Sequence, residues 1–310
     1  MRFDEGADLD VSQVEDLRSG GGGGLGGRVA LGGGGLGILG VVAYLLFSLL
    51  GGGGGGGAVS LPSGGLSGIE SGQQANNSQL AQECRTGADA NTKQDCRIVA
   101  IINSVQAYWR DEFARSGQTY QTAPTNFFRG QVNTRCGGAT SAVGPFYCPS
   151  DQEVYIDLGF FDELHKRFGV TGGSFVEAYV LAHEYGHHVQ NLLGTSSRVD
   201  PRDTGPTSGS VRLELQADCY AGVWAKHATT TPTSTGRPLI VELTDKDIND
   251  ALDAASRIGD DYIQSRLGGG RVNPDAFTHG TSAQRQKWFR TGYDTGEPAR
   301  CNTFDTRNLG

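Results

Sequence analysis

No charged side chain stands between Arg28 and Glu70, an interval of 41 residues. Its centre, Leu36 to Leu50, reads LGILGVVAYLLFSLL, and extension back to Val29 gives 22 residues, about the length a helix needs to cross a hydrocarbon core. Glycine runs at 20–24 and 51–57 flank it, so a soluble helix there would have nothing to pack against. Glycine is tolerated in membrane helices. Residues 29–50 are therefore expected to form one transmembrane helix. A cleaved signal peptide is the rival reading, weakened by the long stretch before the apolar run and by the lack of an Ala-x-Ala site near Ala58. Arg18 and Arg28 precede the span and no basic residue follows it until Arg85. That asymmetry predicts a single-pass protein of the cell membrane, with residues 1–28 cytoplasmic and the remainder extracytoplasmic. Residues 51–83, rich in Gly, Ser, Gln and Asn, read as a flexible linker, and residues 84–310 as the folded body.

The glycines divide the chain the same way. Of 49, 25 fall within the first 72 residues, so the excess belongs to the leader and the body is only mildly rich. There is no Gly-X-Y period, which excludes a collagen-like fold. Hydrophobic residues at 37% and charged residues at 19% exclude wholesale disorder for the body. The net charge is −8 and no Lys/Arg cluster occurs, so nucleic acid is not an expected partner. All six cysteines (Cys84, Cys96, Cys136, Cys148, Cys219 and Cys301) lie in the body, and none forms a Cys-x-x-Cys pair. An even count outside the cytoplasm suggests disulfides, with about fifteen connectivities open. Local pairing gives Cys84–Cys96 and Cys136–Cys148, leaving Cys219–Cys301; reduced, buried cysteines are the alternative.

Within the body, Ile98, Ile101, Ile102, Val105, Tyr108, Trp109 and Phe113 recur at helical spacing and predict a helix over about 97–115. Residues 127–158 read as extended, followed by a short helix at Phe160–Phe168. Gly172-Gly173-Ser174 opens a long apolar helix from Phe175 to about Leu193, ended by Gly194. A further helix is expected from about Ser210 to Lys226. Thr244 with Asp247 has the form of a capping box for a helix running to about Leu267, and Thr281 or Ser282 caps a last one through Phe289. The fold class is α+β, mainly helical with a small sheet.

The long apolar helix carries His183-Glu184-Tyr185-Gly186-His187. Histidines at i and i+4 project from one helical face and can grip one metal ion, and the glutamate beside the first can reach a water on it. Random ordering of 6 His and 12 Glu in this chain gives roughly 0.005 such motifs, so chance is a poor explanation. A catalytic zinc needs a third protein ligand. Glu214 and Asp218, again i and i+4, sit in an otherwise apolar helix; Glu214 can complete the set and Asp218 can orient a ligand histidine through its other ring nitrogen. A solvated acidic face is the competing reading. His188 points about 100° away from His187 and is not an expected ligand. His165 and His227 show no partner pattern.

These motifs resemble the neutral zinc metallopeptidases of bacterial membranes. The likeness rests on His183-Glu-Tyr-Gly-His-His-Val-Gln-Asn191 and Glu214-Leu-Gln-Ala-Asp-Cys-Tyr-Ala-Gly222. Phe128–Thr134, Gly144–Pro149, Val154–Asp157, His279–Arg285 and Trp288–Arg290 also match, so that it covers roughly 84–305. It implies a zincin-like metallopeptidase domain of the gluzincin type, with one Zn2+ held by His183, His187 and Glu214 and supported by Asp218. It further implies hydrolysis of a peptide or protein substrate by a zinc-activated water, with Glu184 as general base. His279, in one of the matching stretches, is the leading stabiliser of the oxyanion, with Tyr185 and Arg285 as rivals. An extended substrate would add to an exposed strand edge, expected at Val154–Asp157. A zinc-stabilised envelope interaction module without turnover is the alternative function, though such a module has no need of Glu184.

Overall fold

The computed structural model describes residues 1–18, 75–234 and 236–310; the expected span at 29–50 and the linker up to residue 74 lie outside the described residues. Among the described residues no helix is long and apolar enough to cross a membrane.

The N-terminal residues are woven into the body. Strand β1 (Arg2–Phe3) pairs antiparallel with β8 (Ile240–Glu242), and β2 (Val14–Asp16) lies parallel to β3 (Thr125–Phe127). Asn103 clasps the backbone of Asp10 through both ends of its amide, at 2.8 and 2.9 Å. Arg18 binds Asp16 at 2.7 Å and Asp95 at 2.8 Å. The chain re-enters at the same place, because the Asn76 N–H donates to the Asp16 carbonyl and Asn77 bonds the backbone of Asp16 and Val14. The division at residue 28 therefore needs correction: residues 1–18 are part of the body, and a bilayer could not separate strands that share these hydrogen bonds. The linker also ends earlier than expected, since α1 (Ser78–Glu83) buries Leu80 ahead of Cys84.

Next come α2 (Gly87–Thr92) and the long α3 (Gln94–Arg115). The extended region holds β3, a hairpin of β4 (Gln131–Thr134) and β5 (Gly137–Thr140), then β6 (Phe146–Cys148) and β7 (Glu153–Ile156). The main sheet runs β2-β3-β7-β6, with β6 alone antiparallel to its neighbour. Helix α4 (Phe160–Phe168) leads to α5 (Ser174–Leu192) and α6 (Gly209–His227), each within a residue or so of its predicted bounds. Helix α5 is buried from Phe175 to Gln190, its polar residues included, so the remaining elements pack around it. Phe175 stacks on Trp224 of α6, and Trp109 of α3 meets Tyr220 of α6 edge-on.

The helix expected from Thr244 to Leu267 is two helices, α7 (Asp245–Arg257) and α8 (Asp260–Arg266). Gly259 sits at the break with its backbone against Ser282, where a Cβ would lie 2.4 Å from the Ser282 nitrogen. That contact joins the break to the start of α9 (Ser282–Thr295), whose capping box is Thr281 with Gln284. The Thr244–Asp247 capping box forms as predicted. Three disulfides close in the local pattern: Cys84–Cys96, Cys136–Cys148 and Cys219–Cys301. The fold is α+β with small sheets.

Candidate metal centre

Helical spacing places His183 and His187 on one face of α5, with their Nε2 atoms 3.2 Å apart. Helix α6 crosses close above them, because Gly186 has no side chain: a Cβ there would stand 3.0 Å from Ala217 Cα. The crossing brings Glu214 over the histidines, Oε2 at 3.2 Å from His183 Nε2 and Oε1 at 3.4 Å from His187 Nε2. The three ligand atoms lie within 4.8 Å of one another and all three residues are buried. Each histidine's other nitrogen faces an acceptor: His183 Nδ1 meets Asp218 Oδ1 at 2.9 Å, and His187 Nδ1 meets Gln190 Oε1 at 2.9 Å. Both Nδ1 atoms therefore carry protons, and both Nε2 atoms face the centre, where a bound cation would take the lone pair of each. Glu214 Oε1 is buried with no hydrogen-bond donor. Two imidazole nitrogens and an unsatisfied carboxylate oxygen converge there, and a divalent cation would satisfy all three. The donor set fits zinc.

Electrostatics follow from this crowding. Burial opposes charge on Glu214, but His187, His279 and His183 hold its carboxyl well below the ordinary range. Burial likewise opposes Asp218, yet Arg285 and His183 hold it at about 2. Burial acts to neutralise His183, and Asp218 and Glu214 outweigh it and push the imidazole up to about 10. Burial wins at His187, which falls to about 4. Glu184 is pushed up to about 8, chiefly by burial. Its Oε2 is also without a hydrogen-bond partner, and the residue lines a cleft together with His183, Glu214 and His279.

Asp218 does more than meet His183. Its Oδ1 accepts from Tyr179 Oη at 2.6 Å, and Arg285 grips both oxygens from Nε at 2.8 Å and Nη2 at 2.9 Å. Arg285 is thus committed to Asp218. Tyr185 is committed elsewhere, donating to the Ala123 carbonyl and bonding Thr125 Oγ1, so it supports the sheet. His279 stays in contention. Its Nδ1 lies 2.9 Å from Thr278 Oγ1 and 3.3 Å from Asp260 Oδ1, leaving Nε2 as the ring atom available to the cleft it lines. His188 turns away to Tyr147 Oη and the Gln121 carbonyl, and His227 to the Gly296 carbonyl. His165 bonds the Val170 carbonyl.

Sequence reasoning missed Tyr179, Gln190 and Asp260. Tyr179 carried a signal, since it precedes His183 by one helical turn. The expected substrate edge was misplaced, because Val154–Ile156 lies inside the sheet between β3 and β6. The outer strands are β2 and β6, and Tyr147 of β6 gives its backbone N–H to the Glu184 carboxylate. Gly144 and Pro145, just before β6, line the cleft with Phe160, Leu164, Val180 and Ile258.

Comparison with known proteins agrees with this geometry. The family model described as "Putative neutral zinc metallopeptidase" matches residues 1–304. An uncharacterized protein of Mycobacterium tuberculosis is 53% identical over 229 residues, covering 74% of this chain and 76% of its own. Uncharacterized protein YpfJ of Escherichia coli is 42% identical over 244 residues, covering 77% of this chain and 80% of its own. No solved structure matches.

Proposed function

The chain belongs to the neutral zinc metallopeptidase family, and on that premise we propose that it is a zinc-dependent peptidase acting in the cleft that α5 lines together with the segment just before β6. The observation that carries the reading is Glu184: a buried carboxylate with one oxygen unpartnered, beside the His183–His187–Glu214 cluster and open to a cleft. A purely structural metal site has no use for it. Zinc held by the three ligands would supply a Lewis acid and lower the pKa of a bound water to about 7. Glu184, which a cation on the three ligands would favour in its ionised form, takes the proton of the attacking water and passes it to the leaving amine. His279, kept protonated against burial by Glu214 and by Asp260 at Nδ1, donates from Nε2 to the developing oxyanion. Asp218, clamped by Arg285 and Tyr179, holds the His183 ring at its working angle. An extended peptide adds to the open side of β6, and the apolar wall of Phe160, Leu164, Val180 and Ile258 receives a side chain next to the scissile bond.

Three disulfides favour an oxidising compartment, so we place the folded body outside the cytoplasm. The apolar run at 29–50 is proposed to hold it at the membrane, with residues 1–18 on the same side as the body. The direct test uses the full-length chain. It is expected to carry about one zinc and to degrade an unstructured protein such as casein. Chelation should stop cleavage and added zinc restore it; cleavage that survives complete metal removal would refute the reading.

A further inference from the structure

The two histidines of the cluster are steadied in different ways. His183 leans on a charged pair, Asp218 with Arg285, whereas His187 leans on neutral amides. Gln190, one turn beyond His187 on α5, is fully buried, and its Oε1 lies 2.9 Å from His187 Nδ1. Its Nε2 donates twice, to the Leu213 carbonyl at 2.7 Å and to Gln216 Oε1 at 3.1 Å. Gln216 is buried as well, and its Nε2 donates to the Cys301 carbonyl at 3.0 Å. Cys301 is bonded to Cys219, on the same helix as Gln216.

A glutamine amide can be turned over, so the sense of this row needs its own argument. Backbone carbonyls only accept. The Cys301 carbonyl therefore faces the NH2 of Gln216, which turns Gln216 Oε1 toward Gln190. The Leu213 carbonyl and Gln216 Oε1 both face the NH2 of Gln190, which turns Gln190 Oε1 toward His187. An amide oxygen cannot donate, so the proton of the neutral imidazole sits on Nδ1 and the Nε2 lone pair faces Glu214 and His183. Every link is set by the one before it, back to a carbonyl pinned by a disulfide.

We propose that Gln190 and Gln216 are positioning residues that fix the tautomer of His187, with the Cys219–Cys301 bridge as the anchored end of the row. The consequence for metal affinity rests on the metal-centre reading above; the tautomer itself does not. Histidine-selective 15N labelling of the metal-free full-length chain at neutral pH reads the tautomer directly. His187 should be protonated at Nδ1 in the wild type, and Gln190→Leu should admit the Nε2-protonated form. Zinc affinity, measured by chelator competition, should fall about 10- to 100-fold in Gln190→Leu. It should fall less in Gln216→Leu, where the Leu213 carbonyl still orients Gln190. Should Gln190→Leu not fold, Gln190→Glu serves: it keeps an acceptor at Nδ1, so the tautomer should persist although the row beyond is broken. An Nε2-protonated His187 in the wild type, or a Gln190→Leu chain with unchanged tautomer and unchanged zinc affinity, would overturn the proposal. A wild-type chain with the expected tautomer that binds no zinc would instead sink the metal-centre reading and leave the positioning role standing.

Discussion

Asp260 shows how much a single carboxylate can organise. Its Oδ2 accepts three consecutive backbone N–H groups, from Thr278 at 2.8 Å, His279 at 2.7 Å and Gly280 at 3.0 Å, while Oδ1 faces His279 Nδ1. Burial opposes its charge, but His279 and these N–H groups win and lower its pKa in the folded state. A carboxyl with a lowered folded pKa stabilises above its unfolded value, about 3.9, and that contribution is lost as pH falls through the folded value. Asp260→Asn should therefore destabilise the protein by about 2–4 kcal/mol at neutral pH. The gap in urea midpoint between wild type and variant should shrink below about pH 4; a gap that stays constant with pH would contradict the assignment. The variant should also lose turnover while keeping its metal. None of this was legible in the sequence, since Asp260 precedes His279 by 19 residues and reads as an ordinary acidic group at a helix start. The candidate cluster was easier to see for the opposite reason: His183 with His187, and Glu214 with Asp218, lie about one helical turn apart, where spacing alone fixes the shared face.

Glycines decide how the elements meet. At the crossing of α6 and α9, a Cβ on Gly222 would lie 2.0 Å from the Phe289 carbonyl oxygen, and one on Gly292 would lie 1.9 Å from that of Cys219. This contact sets Arg285 against Asp218. Glycine to alanine inside a helix normally adds up to about 1 kcal/mol. Here Gly222→Ala or Gly292→Ala should instead destabilise by about 1–3 kcal/mol, because two backbones must part. Thermal unfolding checks the sign, and an unchanged or raised melting temperature would count against such close packing. Zinc affinity should fall with it, since Asp218 would lose its clamp. Helical periodicity revealed α3, α5 and α6 to within a few residues, because their apolar positions repeat locally. The order of the sheet was hidden for want of any local signal. Strands of three or four residues carry little pattern, and whether β6 or β7 forms the edge depends on pairing between distant segments.

At the scale of the molecule, residues 1–18 and the segment that begins at residue 75 belong together. Val14 and Asp16 meet Asn76 and Asn77 at β2, so an odd number of membrane crossings between them would tear that strand away. On the proposal that the apolar run holds the chain at a membrane, reporter fusions ahead of Met1 and after Gly310 should read the same side of it; opposite sides would contradict the packing. For the same reason a shortened chain of residues 73–310, natural from the sequence alone, should be less stable than the whole. A peptide of residues 1–18 added in trans should raise its melting temperature with concentration, as a ligand of the folded state does. The sequence pointed away from this, because its glycines and its apolar run mark a boundary and strands of two and three residues in the first eighteen positions do not announce a partner. The central claim, that the cluster on α5 and α6 turns over peptide bonds, is tested most directly by comparing full-length wild type with Glu184→Gln at equal zinc content. The expected result is about one zinc per chain in both, with casein cleavage lower in the variant by a factor of about 10² to 10⁴. Two zinc-loaded proteins that cleave equally, or that are equally silent across a broad peptide library, would contradict it.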